Sequence, residues 1–409
     1  MHVVVDGCRS CGSAGLETVL DLGLHALADG LLREEDLAGP EARYPLSVAV
    51  CTECGLMQIL ETVDPEELFC RDYPYYSSFS PALLRHTEAN VAELASARGL
   101  GADDLVIEIA SNDGYLLQYY RERGIPVLGI DPAEGPARAA TERGVETLDT
   151  FFTLELAKQL RAEGRRPSVM HANNVLAHVP DQNEFVQGIG HLLAAEGVAV
   201  IECPHVYDLI RHCEFDTIYH QHACYFSVTS LVPLFARNGL HLNDIRPLEI
   251  HGGSLRLFVS HAEGQSAAVR EMLAREAAAK LDTPEGYRDF GRRVAELRER
   301  IRALLLELKG QGKRIAGYGA AAKAATMINY VGIGPDLVDF VVDRNPHKHG
   351  RYMPGQHLPI RPVEALLEEQ PDVTFLFAWN FKDEILEQQA EYRARGGRFL
   401  VPVPEPVLS

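Results

Sequence analysis

Two stretches of the sequence place reactive side chains at spacings that chemistry uses. The ten residues TIYHQHACYF (217–226) gather Tyr219, His220, Gln221 and His222. An imidazole titrates near neutral pH, so a histidine here can take or give a proton. The same rings also serve as satisfied core side chains. His-x-His can ligate a metal too, although no carboxylate stands beside this pair. The second stretch is doubled: Cys8 and Cys11 in CRSCG, then Cys51 and Cys54 in CTECG. C-x2-C lets two thiolates of one turn face a single ion, and a glycine after each pair permits the tight knuckle. Four such sulfurs close a tetrahedral Zn2+ shell, so a structural zinc is expected rather than a catalytic one. The alternative is unrelated buried cysteines, which is how Cys70, Cys203, Cys213 and Cys224 read.

The elements that must position these groups follow from local patterning. Residues 1–66 form the expected zinc-binding domain, with short strands in YPLSVAVC and LMQILETV. A helix is expected from about Pro81 to Arg98. From Asp104 onward, short β-branched runs (DLVIEIA, PVLGID, PSVMHAN, GVAVIECP) alternate with helical stretches, the signature of a parallel sheet. Charged amphipathic helices over 263–309 lead to a second strand–helix series in KRIAGYG, VDFVVD and VTFLFAW. The expected fold class is α/β: a zinc module, a Rossmann-like unit over 67–250 and a second Rossmann-like unit over 251–409.

In the first unit Glu108 ends a strand and a turn with Gly114 opens a helix, where α/β units meet nucleotides. Against the ExGxGxG pattern of methyltransferases, Ala110 and Asn112 replace two glycines. Asp131 ends the next strand, where a carboxylate could accept both ribose hydroxyls. Asn173, Asn174 and His178 follow at the third strand end. Singly each reads as a turn or cap residue; together they outline a nucleoside pocket. In the second unit, Gly317-Tyr318-Gly319 and Lys323 could receive a diphosphate at a helix start. Asp343 stands near the spacing of a dinucleotide fingerprint, so NADPH and a ketoreductase are the competing reading, although the third glycine is Ala322.

Bulk properties narrow the partners. The 409 residues carry 39 basic and 58 acidic side chains, a formal net charge of −19. That field repels nucleic acid and anionic membranes, so neither is an expected partner, and an anionic substrate needs a locally positive pocket. Arg256, Lys323 and Lys382 could supply it, or could be solvated surface cations. No apolar run is long enough to span a bilayer, and the N-terminus lacks a signal-peptide pattern, so a cytoplasmic protein is expected, as a monomer or small homo-oligomer.

From end to end the chain resembles the S-adenosylmethionine-dependent sugar C-3-methyltransferases, which build branched deoxysugars for natural products such as antibiotics. The resemblance rests on the paired knuckles, YYSSFS, EIASNDGYLL, GIDPA, ANNVLAHVPD, FDTIYHQHACYFS, HGGSLR, GYGAAAK, DRNPHKHGRYMPG and AWNFKDEI. It implies S-adenosylmethionine as methyl donor, a TDP-4-keto-deoxyhexose as substrate, and a C-terminal domain that helps hold it. It implies His222 as the base that removes the C3 proton, with Tyr219 and His220 nearby. Tyr75 and Tyr76 become aromatics near the donor and sugar. His251, Arg256, Tyr318, Lys323, Asn329, Asp343, Arg344 and Lys382 become substrate contacts. One position departs: the family string is YHEH, and Gln221 stands where the glutamate is expected. An amide holds a hydrogen bond but cannot act as a base. Either the change is mild, or proton handling differs here.

Overall fold

A computed structural model of the chain describes residues 2–69 and 76–409. Tyr75 and Cys70 lie outside the described residues. In the N-terminal module, Leu16–Ala26, Arg43–Cys51 and Met57–Ile59 form an antiparallel sheet. Its fourth strand, Cys224–Tyr225, comes from the stretch that contains YHQH: Cys224 pairs with Gln58 and Tyr225 with Met57. The reactive string is thereby stitched to the zinc module, a long-range pairing that local patterning does not reveal. The helix Pro81–Arg98 follows its punctuation. Ser80 accepts the Leu83 amide, proline takes the first position, and Gly99 closes the helix at φ 63°.

The first α/β sheet has seven strands, in the order His241–Leu248, Ser254–Ser260, Val198–Pro204, Val169–Asn173, Val106–Ile109, Val127–Asp131 and Thr147–Asp149. The last five run parallel; the first two form an antiparallel hairpin against Val198–Pro204. Val106–Ile109 and Val169–Asn173 are buried at every position, as parallel strands covered on both faces must be, and their polar members Glu108, His171 and Asn173 are buried with the rest. The hairpin carries this sheet to Ser260, beyond the boundary expected at residue 250, because an antiparallel hairpin has no strand–helix alternation to read.

The helix Glu285–Gly310 buries Tyr287, Phe290, Val294, Leu297, Ile301, Leu305 and Leu308, the three-and-four spacing of one helical face. It leads to a six-stranded sheet ordered Ile360–Pro362, Val341–Asp343, Ile315–Tyr318, Val373–Leu376, Arg398–Val401 and Val407–Leu408. Leu46 and Val48 of the zinc module, Phe290 and Ile301 of the connector, and Ile328 and Val341 of the second unit share one hydrophobic core. In both α/β sheets the chain order reverses beside the first strand, Val106–Ile109 or Ile315–Tyr318. Open α/β sheets bind ligands at the strand ends of such switch points. Among the described residues, no helix is long and apolar enough to cross a membrane.

Candidate active site

The carboxyl ends of both α/β sheets open into one cavity of about 1290 Å³. Tyr76, Ala110, Asn112, Asp131, Asn173, Asn174, His178, Tyr219, Gln221, His222, Tyr318, Lys323, Asp343 and Arg344 all line it. The structure therefore brings together most of the residues singled out from the sequence.

The loop before and through YHQH is held from several sides. Trp379 Nε1 donates to Asp216 Oδ2 at 2.7 Å, and the Thr326 hydroxyl donates to the Ile218 carbonyl at 2.8 Å. His222 Nδ1 lies 2.9 Å from the Thr217 carbonyl, and its Nε2 lies 2.9 Å from the Tyr219 hydroxyl. A carbonyl can only accept, so Nδ1 carries the hydrogen, and Nε2 keeps its lone pair and receives the phenol's hydrogen. The two rings overlap with centroids 4.1 Å apart. His178 sits 4.8 Å from His222 by ring centroids and gives its Nδ1 hydrogen to the Gln221 carbonyl at 2.7 Å. Burial lowers the pKa of His178, so the neutral ring is favoured. His220 does not join this group. It does not line the cavity and holds the Pro45 carbonyl at 2.9 Å, clamping the loop to the zinc module.

At the first sheet, Ala110 and Asn112 adopt φ 55° and 50°. The left-handed turn that glycines usually make survives their replacement, at a cost of about 1–2 kcal/mol for the alanine. Asp131 Oδ2 accepts the Asn112 amide at 2.7 Å and Oδ1 the Ala133 amide at 2.9 Å, and burial raises its pKa to about 6. Asn173 is 7% exposed, and neither Oδ1 nor Nδ2 finds a partner among the described residues. An amide orphaned in this way costs about 1–3 kcal/mol until a ligand satisfies it. The donor set fits S-adenosylmethionine: an acid at the second strand end for a ribose, and an unpaired amide for the polar groups beside it. Glu108 and Gly114 stand behind this wall instead of in it. Glu108 is fully buried, its carboxyl pushed well up by desolvation and by Asp131 and Asp113. A Cβ on Gly114 would come within 3.1 Å of Val145 and 3.3 Å of Ala140, so this glycine serves helix–strand packing.

The second sheet repeats the motif. Asp343 Oδ2 accepts the Ala320 amide at 2.7 Å and Oδ1 the Asn345 amide at 2.8 Å. Lys323 bonds to Asn380 Oδ1 and lies 4.0 Å from the centroid of the Trp379 ring. Burial lowers its pKa to about 8, against the pull of Asp216 and Glu214. Glu214, also in the cavity wall, is pushed up to about 9 by burial and then by Asp216. Arg344 pairs with Glu384 at 3.0 Å.

Three expected substrate contacts lie elsewhere. Arg256 is locked to Glu202 at 2.7 Å and to His86 at 3.2 Å, outside the cavity wall. Asn329 braces its helix to the Pro354 carbonyl at 3.1 Å. Lys382 is exposed, while its neighbours Asn380 and Phe381 reach the cavity. The backbone of His251 lies in the short turn Ile250–Gly252; its side chain is outside the described residues. Conversely, Asp29, Glu214 and Lys348 line the cavity without having been singled out. Lys348 had a signal, a basic residue five positions beyond Asp343, whereas Asp29 had none.

Cys8, Cys11, Cys51 and Cys54 bring their sulfurs within 4.8 Å of one another, with Cys8–Cys54 and Cys11–Cys51 at 3.5 Å. Sulfurs about 2.3 Å from a tetrahedral zinc stand roughly 3.8 Å apart, so the cluster fits the ion with little movement. Four sulfurs leave no open position, the mark of a structural site.

Three family models match in sequence order: a zinc binding domain over 8–69, a methyltransferase domain over 82–244 and a C-methyltransferase C-terminal domain over 249–404. The C-methyltransferase NovU of Streptomyces niveus is 36% identical over 405 residues, 98% of this chain and 96% of that protein. Among solved structures, magnesium protoporphyrin IX methyltransferase from Synechocystis with bound SAM is 14% identical at a TM-score of 0.33, covering 43% of this chain and 77% of that one. An S-adenosylmethionine-dependent methyltransferase from Clostridium acetobutylicum is 9% identical at 0.35, covering 44% and 92%. The family models and the full-length relative define an S-adenosylmethionine-dependent C-methyltransferase. The chain belongs to the C-methyltransferase family that includes NovU.

Proposed function

We propose that this enzyme methylates C3 of a TDP-4-keto-2,6-dideoxyhexose in deoxysugar biosynthesis, with the methyl donor on the first sheet and the TDP group on the second. The observation that carries the reading is the shared cavity: the carboxyl strand ends of both α/β sheets open into it, and a tyrosine–histidine pair stands in its wall. A carbon beside a ketone becomes a nucleophile only after it loses a proton. His222 Nε2, with its lone pair held in place by the Thr217 carbonyl behind the ring, takes the C3 proton. The Tyr219 hydroxyl, which rests on Nε2 in the free protein, turns to the C4 oxygen where enolate charge builds. S-adenosylmethionine supplies the electrophilic methyl group. The enolate's electron pair forms the C3–methyl bond as the sulfur–methyl bond breaks, and the C4 ketone is restored. Lys323, Lys348 and Arg344 supply the positive charge that a diphosphate needs in an otherwise acidic protein.

The test is direct. The protein is incubated with the TDP-4-keto sugar and either S-adenosylmethionine or NADPH, and the products are weighed. A gain of one CH2 supports the reading. A gain of two hydrogens with NADPH would instead establish ketoreduction, and no change with either overturns the substrate assignment.

A further inference from the structure

Asp29 is a cavity carboxylate with no part in the reaction as drawn. Asp29 follows the strand Leu16–Ala26 of the zinc module, and its Oδ2 accepts the side-chain amide of Gln221, 192 positions away, at 3.3 Å. Both residues line the cavity. Gln221 is 3% exposed, and its Oε1 has no hydrogen-bond partner among the described residues, so the pair presents an unsatisfied acceptor to whatever fills the space. Asp29 keeps access to the cavity, yet it lies deep enough that burial holds its carboxyl above the ordinary range, opposed by Lys348. Lys348 itself donates to the Ala320 carbonyl at 2.8 Å. The other titratable groups at this end flank Gln221: His222 follows it in sequence, and His178 holds its carbonyl.

The resemblance noted from the sequence implies a glutamate, as in YHEH, where this chain has Gln221. A carboxylate there would stand against Asp29 in a poorly hydrated wall, and two such neighbours cannot both ionise without a large cost. Glutamine removes the conflict and donates to the carboxylate that remains.

We propose that Asp29 is the carboxylate of the sugar subsite, accepting a hydrogen bond from a hydroxyl of the bound sugar, and that Gln221 positions it. The Asp29 carboxylate reaches the cavity from the zinc module, beside the loop that carries Gln221. This assignment rests on the substrate reading above, and it adds a residue from outside both α/β units to the reaction site.

The test uses the zinc-loaded full chain. Asp29→Asn should lower kcat/KM for methyl transfer by about tenfold or more, the worth of a charged acceptor, with S-adenosylmethionine affinity unchanged. Gln221→Glu should also lower it. Asp29→Asn combined with Gln221→Glu moves the carboxylate to the loop and should recover activity to within about threefold of the parent. A wild-type rate in Asp29→Asn, or a double variant as poor as the product of its singles, overturns the assignment.

A second readout needs no substrate. In Gln221→Glu the two carboxylates share a proton, so their folded-state pKa is raised above the unfolded value. Stability is then present at low pH and lost as pH rises through that folded pKa. Thermal melts of Gln221→Glu should fall between about pH 5 and about pH 8 relative to the parent, and the double variant should not. Melts of Gln221→Glu that track the parent overturn the pairing. If the parent neither exchanges C3 hydrogen nor methylates the TDP-sugar, the substrate reading fails, and the melts alone decide whether the paired site exists.

Discussion

Tyr219→Phe isolates a single oxygen. Phenylalanine keeps the ring that packs at 4.1 Å on His222, and only the hydroxyl 2.9 Å from Nε2 is lost. As a neutral hydrogen bond to the imidazole, that hydroxyl is worth about 1 kcal/mol, roughly fivefold in rate at most. As a donor to a developing enolate oxygen, it is worth about 10²–10³-fold, because the charge appears only in the transition state. We expect kcat for methyl transfer to fall about 10²-fold, with S-adenosylmethionine affinity intact. Deuterium wash-out from C3, run without any methyl donor, should fall in parallel, since the enolate forms in that half-reaction too. His222→Asn should lose about 10²–10⁴-fold. Adding Tyr219→Phe to it should cost little more, because the two groups act as a unit. Wash-out at the parental rate in Tyr219→Phe, with methyl transfer within fivefold or so, would refute the role: the phenol would then only cap the ring.

Asn173→Ala should weaken S-adenosylmethionine binding by about 1–2 kcal/mol in calorimetry while leaving the melting temperature unchanged or higher, because the amide it removes has no partner among the described residues. Lys323, with its pKa lowered to about 8, should lose charge as pH rises through that value. TDP affinity should therefore decline above about pH 8, and Lys323→Met should be weak and flat across the same range. The chain should hold one zinc, and Cys51→Ser should lose it and melt far lower, since structural zinc contributes folding energy directly. Metal analysis beside melting curves checks this, and zinc retained by Cys51→Ser would show the ligand set to be wrong.

The fold was legible wherever local pattern dictates it. The capped helix Pro81–Arg98, the buried parallel strands and the doubled knuckles each follow from residue types at short spacing. The strand-end residues of the first unit were legible for the same reason, since an acid such as Asp131 can only lie at the carboxyl edge of its strand. Arg256 and His220 were misplaced because their partners come from far along the chain. Arg256 carries the charge of an anion binder, but Glu202 on the adjacent antiparallel strand claims it, and that pairing exists only once the sheet has formed. His220 and His222 are equivalent in the sequence, and only the docking of Pro45 against one side of the loop separates clamp from site. Gln221 was visible as a departure, but its meaning depends on a partner 192 residues away.

The same long-range contacts explain why a zinc module belongs to this enzyme. YHQH is a turn between the short helix Phe215–Thr217 and the strand Cys224–Tyr225, and loops of this kind do not hold a side chain to within a fraction of an ångström unaided. Its anchors are Met57 and Gln58 just beyond the second knuckle, Pro45 on the preceding strand, and Thr326 and Trp379 of the second α/β unit. The methyl donor's predicted contacts belong to the first sheet. The proposed base and the proposed donor contacts are thus held by different parts of the molecule, and the Cys51–Cys54 knuckle sits directly before the strand that pairs with Cys224–Tyr225. Removing zinc should therefore abolish C3 exchange at concentrations of chelator that still leave S-adenosylmethionine bound. Simultaneous loss of both would mean that the knuckle supports the whole fold rather than the placement of the base.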